Sequence, residues 1–282
     1  MSTPATVATA LRHGARGLPA KNSNLEAELL LAHSLCVPRS WLHAHPEKQL
    51  SDAQRRHYRQ RLKQREAGRP LPHLLGRWEF FGLEFRVDAR ALIPRPETEL
   101  LVEHAIAIGQ RRVAGREFTI ADVGVGCGII AITLALQLPR ALITASDISR
   151  PALRLTRENA RRHGASARIH CVQADLLAGL DRFDLICANL PYINGAELNT
   201  LAVAQHEPRL ALDGGHDGLR VIDRLLSSAW RHLRPSGSLL LEIGTAQGAA
   251  ALQLARARIP QAHCCVLPDL AGRARLLRIN CA

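Results

Sequence analysis

Four short stretches of this chain have the residue types and spacing to hold a nucleotide-like ligand and to act beside it. Asp122-Val123-Gly124-Val125-Gly126-Cys127-Gly128 stands where an apolar run gives way to a helical pattern. Its glycines let the backbone approach a ligand that side chains would exclude. Asp147 follows Gly128 by about twenty residues, at the end of the next apolar run, where a carboxylate can accept hydrogen bonds from both hydroxyls of a ribose. Asp175-Leu176 ends a third run and Asn189-Leu190-Pro191-Tyr192 a fourth. In an open α/β sheet such strand ends share the edge where ligands bind. A glycine turn with a ribose acid suits a nicotinamide dehydrogenase as well as a nucleoside-bearing cofactor, and a tight turn plus a surface acid is the plain structural account. A dehydrogenase does not require the Asn189 to Tyr192 tetrapeptide, which taken alone also reads as a strand-ending turn with a buried tyrosine.

The elements that must position these residues follow from periodicity. From Phe118 the pattern predicts a strand (FTIADVG), a helix from Ile129, a strand (ALITASD), a helix from Pro151 to His163 stopped by Gly164, and the strands ARIHCV and FDLICAN. An irregular loop from Pro191, a helix over about 219–233, the strand SLLLEIG, a helix through Arg258 and two terminal strands around Cys265 and Leu277 complete it. Alternating apolar strands and helices predict a doubly wound, Rossmann-like α/β sheet, parallel with a C-terminal antiparallel hairpin.

Before this lies a helical region. A first helix is expected around Leu11, with Gly14 and Gly17 loosening its end. A second carries Leu25, Leu29, Ala32 and Leu35 on one face with Asn24 as its cap. A third runs from Ser51 towards Glu66 and crowds Arg55, Arg56, Arg59, Arg61, Lys63 and Arg65 around Tyr58 and Leu62. Trp78 to Val87 alternates around Gly82 as a hairpin does, and Glu97 to Ile108 reads as a helix. The boundaries expected are a small helical-bundle domain over 1–75, a hairpin linker over 76–96 and the α/β domain over 97–282.

Composition narrows the function classes. The chain has 282 residues, 47% of them hydrophobic, and a formal net charge of +12. No apolar run approaches the roughly 20 residues of a membrane span. The basic excess suits an acidic partner surface, although an arginine-rich composition alone gives the same bias. Seven cysteines show no CxxC or Cys/His ligand spacing, which points to a reducing compartment and no metal. His43, His45 and His206 have no spaced partners, Glu97 and Thr98 read as a helix cap or as neighbours of the ligand, and Glu242 reads as a structural strand end.

Asn189 to Tyr192 resembles the Asn/Asp-Pro-Pro-Tyr/Phe motif of methyltransferases that act on planar, conjugated NH2 groups. Ile93-Pro94-Arg95-Pro96-Glu97-Thr98-Glu99, Phe81 to Val87, Glu207-Pro208-Arg209, Asp217-Gly218-Leu219, Asp269-Leu270-Ala271-Gly272 and the stretch Glu26 to Pro46 resemble the bacterial peptide chain release factor N5-glutamine methyltransferases, the HemK/PrmC family. The likeness spans nearly the whole chain. It implies a class I methyltransferase sheet with S-adenosyl-L-methionine as cofactor, S-adenosyl-L-homocysteine as product and no metal. It further implies that Gly124, Val125, Gly126, Cys127 and Gly128 line the methionine part, Asp147 holds the ribose, Asp175 and Leu176 border the adenine, and Asn189, Leu190, Pro191 and Tyr192 face the substrate, Asn189 also touching the cofactor. The implied substrate is the glutamine of the Gly-Gly-Gln motif in class I release factors, methylated in the cytoplasm by a monomer in support of translation termination. Direct nucleic-acid contact is allowed by the charge and not required by this chemistry.

One departure stands inside the motif. Leu190 replaces the usual first proline, which keeps the main-chain carbonyl but removes the ring that fixes φ; Pro191 still biases Leu190 towards extended backbone. Two other readings remain open at this point: methylation of the amino group of adenine in nucleic acid, and a cofactor-binding adaptor without turnover.

Overall fold

A computed structural model describes residues 6–18, 21–112 and 117–281. The chain divides into two compact units, Met1–Arg77 and Trp78–Ala282.

The first unit holds α1 (Val7–Gly17), α2 (Ser23–Leu35), α3 (Arg39–Ala44), α4 (Asp52–Glu66) and α5 (Leu71–Leu75). Ser51 caps α4 through a reciprocal pair: its hydroxyl accepts from Gln54 N, and the Gln54 side chain accepts from Ser51 N. Two sequence expectations are corrected here. Gly14 does not loosen α1; it is buried, and a Cβ on it would meet the Tyr58 hydroxyl at 2.1 Å, so glycine allows α1 and α4 to approach. On α2 the cap position is Asn22, Leu25 is 41% exposed, and the buried face is Ala27, Leu30, Leu31 and Ala32. That rotation brings Glu26 against Arg65 of α4 in a two-pronged pair at 2.7 and 3.0 Å. Tyr58, buried on α4, donates to Ala27 O of α2. Leu71 to Leu75 forms the one-turn α5 with Gly76 in the left-handed region at its end.

The second unit opens with a hairpin, β1 (Arg77–Phe80) and β2 (Leu83–Arg86), closed by Phe81 and Gly82, both at positive φ (52° and 71°) as a two-residue type I′ turn requires. Phe80, Phe85 and Val87 are buried in the same apolar cluster as the α/β core, so this segment is part of the second unit's packing. There follow α6 (Glu99–Arg112), β3 (Phe118–Val123), α7 (Ile129–Gln137), β4 (Ala141–Asp147), α8 (Arg150–Arg162), β5 (Ile169–Gln173) and β6 (Phe183–Ala188). The remainder comprises the short α9 (Gly195–Leu198), α10 (Arg220–His232), β7 (Leu233–Glu242), α11 (Gly248–Arg258), β8 (His263–Pro268) and β9 (Ala274–Asn280).

The seven strands are ordered β5-β4-β3-β6-β7-β9-β8, the first five parallel and β9 antiparallel to both its neighbours. Every residue of β6 and nearly every one of β3 is buried, as expected of central parallel strands covered on both faces. Strand order reverses between β3 and β6. Adjacent strands there leave the sheet in opposite directions, and the crevice between their C-terminal ends is where a doubly wound fold takes a ligand.

Candidate active site

The glycine turn leaves β3 at this crevice. Gly124, Gly126 and Gly128 have φ of 75°, 58° and 94°, a region closed to most side chains. Gly124 N and Val125 N donate to Ser146 O, which fixes the turn to the end of β4. Asp122, fully buried, reaches round the turn to accept from Ala131 N in the first turn of α7. Its other oxygen has no hydrogen-bond partner among the described residues, and burial raises its pKa to about 7. From outside, Thr156 of α8 donates to Gly126 O, and Asn159, fully buried, donates to Cys127 O and Arg86 O while accepting from Arg86 N. Sequence reasoning missed both residues, because a polar pair on a helix face reads as a solvated edge.

Asp147 ends β4 beside the turn. Its Oδ2 accepts from Gly126 N at 3.0 Å and its Oδ1 from Ser149 N at 2.8 Å. Each oxygen keeps a further lone pair, so the carboxylate is oriented by main chain and still able to take two hydroxyls. Burial raises its pKa, against the two N–H donors that lower it. Asp175 is exposed and paired with Arg224 of α10 at 2.7 Å. Leu176 holds a left-handed φ of 56°, and its carbonyl accepts from Ser146 Oγ. A branched residue held there signals a backbone constrained by its surroundings.

Asn189 to Tyr192 leaves β6 on the facing side. Leu190 is buried, its side chain 3.1 Å from where a Cβ on Gly124 would stand. The residue that departs from the family motif thus packs against the glycine turn. Asn189 Nδ2 donates to Thr98 Oγ1 at 3.0 Å, and Thr98 Oγ1 donates to Glu242 Oε2 at 2.7 Å. Tyr192 OH donates to Glu242 Oε1 at 3.3 Å, and its main-chain carbonyl accepts from Gln247 Nε2 at 2.9 Å. Gly214 and Gly218 make room for this segment: a Cβ on either would fall within 3.0 Å of Tyr192 backbone atoms.

Gly124, Val125, Gly126, Cys127, Asp147, Asp175, Leu176, Asn189, Leu190 and Pro191 line one cavity of about 560 Å³. Gly128 and Tyr192, placed at the site by the sequence reading, are not on its wall. Gly128 instead lets α8 approach α7, since a Cβ would meet Ile132 and Thr156 at 2.9 and 3.0 Å. Cys127 is buried and its thiol is pushed up to about 12, so it is protonated at neutral pH and no nucleophile. A strap from Arg90 to Arg95 and a loop from Pro208 to Ala211 also line the cavity. Buried Glu207 joins them, accepting from Ile93 N at 2.8 Å and from Arg95 Nη2 at 2.6 Å. The motifs Ile93 to Glu99 and Glu207 to Arg209, far apart in the chain, therefore meet at this crevice, whereas Asp269 to Gly272 forms the turn between β8 and β9 away from it.

The cavity fits a cofactor with an adenosine and an amino-acid arm. The glycines admit close backbone approach, Asp147 presents an oriented acceptor for ribose hydroxyls, and Leu176 with Ile148 offers apolar wall beyond it. Among the described residues no group of three or more His, Cys, Asp or Glu is arranged to hold a metal ion.

Comparison with known proteins agrees with this geometry. Residues 9–76 match the family model of the PrmC N-terminal domain, and residues 97–207 match that of the methyltransferase small domain. The chain is 45% identical over 276 residues to a release factor glutamine methyltransferase of Moorella thermoacetica, covering 96% of each chain. It is 39% identical to the one from Bordetella pertussis, covering 92% of this chain and 94% of that one. Among solved structures, a methyltransferase of Pyrococcus furiosus superposes with a TM-score of 0.51 at 16% identity, covering 71% of this chain and 90% of that chain. A Thermus thermophilus 16S rRNA methyltransferase solved with AdoMet and guanosine gives 0.51 at 17%, covering 73% and 50%. These last two likenesses concern the fold alone. The full-length identities, together with the N-terminal domain that precedes the methyltransferase crevice, place the chain in the family of release factor glutamine methyltransferases, to which it belongs.

Proposed function

We propose that this chain transfers a methyl group from S-adenosyl-L-methionine to the side-chain amide nitrogen of the glutamine in the Gly-Gly-Gln motif of class I peptide chain release factors. The observation that carries the reading is Asn189: a carboxamide at the end of β6, on the wall of the cavity that holds the glycine turn and Asp147, with its NH2 group engaged behind it by Thr98. That leaves its Oδ1 as the acceptor available to an incoming amide.

An amide nitrogen is a poor nucleophile because its lone pair is delocalised into the carbonyl. The sulfonium of the bound cofactor supplies an activated methyl group. The work left to the chain is to hold the nitrogen in line and to oppose amide resonance. Asn189 Oδ1 accepts one amide proton of the substrate, and the main-chain carbonyl of Leu190 is the acceptor for the other. Two acceptors favour localisation of the lone pair as positive charge grows on nitrogen, which stabilises the transition state without a strong base. With the cofactor bound, the amide nitrogen held by these two acceptors would take the methyl group and then lose one proton to water. Gly124, Val125, Gly126 and Cys127 would border the methionine arm of the cofactor, Asp147 its ribose and Asp175 with Leu176 its adenine. Fixed geometry provides much of the rate.

A Gly-Gly-Gln loop offers little side-chain surface, so the helical unit, over about 1–75, is assigned the recognition of the body of the release factor, with the exposed cations Arg56, Arg59 and Lys63 of α4 contributing. The protein acts in the cytoplasm as a monomer on this reading. The test is mass spectrometry of an unmodified release factor after incubation with the protein and S-adenosylmethionine. One added methyl on the Gly-Gly-Gln glutamine is expected; no methyl on the factor, with methylation of adenine in added RNA or DNA instead, would overturn it.

A further inference from the structure

Thr98, within the Ile93 to Glu99 motif, and Glu242, at the end of β7, stand behind the cavity wall, and both are buried: Thr98 has no exposed surface and Glu242 is 1% exposed. Neither lines the cavity. A carboxylate buried at a strand end costs free energy unless its oxygens are satisfied. Each oxygen of Glu242 serves a different end of the Asn189 to Tyr192 segment, Oε2 through Thr98 and Oε1 through the Tyr192 hydroxyl.

From this arrangement we infer that Thr98 and Glu242 are positioning residues that fix which way the Asn189 carboxamide faces. The inference rests on the function proposed above and deepens it. Burial raises the Glu242 pKa, while the Thr98 and Tyr192 hydroxyls and the nearby Arg275 favour the ionised form; as a carboxylate it can only accept, so it obliges the Thr98 hydroxyl to spend its single hydrogen on Oε2. The threonine oxygen then has only lone pairs to offer Asn189, and only the NH2 end of the carboxamide can meet a lone pair. Asn189 Oδ1 is thereby turned away from Thr98 and presented as the acceptor. A flipped carboxamide would set two acceptors, Asn189 Oδ1 and Thr98 Oγ1, against each other with no proton between them. The second branch holds the same segment three residues on: Tyr192 is anchored by its hydroxyl to Glu242 and by its carbonyl to Gln247, which in turn accepts from Gly244 N. One buried carboxylate thus sets the acceptor's polarity and pins the far end of its loop.

This separates orientation from binding. Replacing the hydroxyl by a methyl in Thr98→Val keeps the volume and removes both hydrogen bonds, leaving the carboxamide free to flip. With full-length protein and an unmodified release factor, Thr98→Val should lower kcat about 10- to 100-fold, with KM for the factor and Kd for S-adenosylmethionine changed by less than about threefold. Thr98→Ser, which restores the hydroxyl, should recover kcat to within about threefold of wild type. A merely structural role predicts the opposite split: lower thermal stability, with kcat intact in the folded fraction.

A readout that needs no turnover keeps the inference testable if the methylation reading fails. In protein labelled with 15N at asparagine, the side-chain NH2 pair assigned to Asn189 by its loss in Asn189→Ala should exchange slowly with solvent in wild type and in Thr98→Ser. In Thr98→Val and in Glu242→Ala it should exchange at least about tenfold faster. Equal exchange in wild type and Thr98→Val, or an undiminished kcat in Thr98→Val when wild type is active, would overturn the relay. Absence of methylation by wild type together with the expected exchange pattern would sink the proposed substrate and leave the relay standing.

Discussion

The two banks of the crevice solve the same problem, holding polar groups still, by different means. On the β3/β4 bank the ligand-facing acceptor Asp147 is held by main chain, Gly126 N and Ser149 N, and the glycine turn by Ser146 O, with Thr156 and Asn159 bracing its outward carbonyls from α8. On the β6/β7 bank they are held by buried side chains: Asn189 by Thr98, Thr98 and Tyr192 by Glu242, and the Tyr192 carbonyl by Gln247. Main-chain donors are fixed by the fold and tolerate many side chains, whereas a side-chain relay depends on each member. The first bank therefore suits a cofactor common to many enzymes on this fold, and the second is where an acceptor preference can be built.

If that division holds, substitutions on the two banks should damage different constants. Asn189→Ala should show the largest effect, a fall in kcat of about 100- to 1000-fold, the scale of removing one preorganised hydrogen-bonding group from a transition state; single-turnover methylation of the factor measures it. Asp147→Ala removes a charged acceptor for ribose hydroxyls, and calorimetry should find cofactor Kd raised about 10- to 100-fold.

A smaller effect concerns the β3 bank and pH. Asp122 ordinarily titrates near 3.8 and is raised to about 7 by burial. Between those values the folded chain keeps a proton that the unfolded chain has released, so this group makes stability fall as pH rises through that window. Asp122→Asn lacks the effect. Its melting temperature relative to wild type should shift in the variant's favour by about 2–4 °C from about pH 4 to about pH 8, and a constant difference across that range would contradict the assignment.

The smallest effect should fall on neither bank. Charge removal at Arg56, Arg59 and Lys63, exposed on α4, should weaken binding of a whole release factor a few-fold at low salt while leaving a short Gly-Gly-Gln peptide unaffected. Equal losses for factor and peptide would remove the helical unit from recognition.

The two banks also differed in how far the sequence disclosed them. The glycine turn and Asp147 were legible because their signal is local: residue types at fixed spacing along one β-α-β unit. Asn189 to Tyr192 was legible as a strand end, but its support was not. Thr98 lies 91 residues from Asn189 and 144 from Glu242. In sequence the threonine reads as a helix cap and the glutamate as a strand terminus, both ordinary roles. Tyr192 was expected to face the substrate; its hydroxyl is bonded to Glu242 and the residue is off the cavity wall. The alternation of strands and helices and the terminal hairpin followed from apolar periodicity, whereas the rotation of α2 did not: Leu25, Leu29 and Leu35 satisfy helical spacing as well as the residues that are buried, and the Glu26–Arg65 pair favours the observed face.

The most direct test of the division is to measure cofactor Kd and kcat on the same preparations of wild type, Asn189→Ala and Asp147→Ala. Asn189→Ala, on the wall of the shared cavity, is expected to lose far more in turnover than in S-adenosylmethionine affinity, and Asp147→Ala to lose cofactor affinity while keeping most of its kcat at saturating cofactor. Parallel losses of both constants in both variants would contradict two separately held banks and make the crevice one cooperative unit.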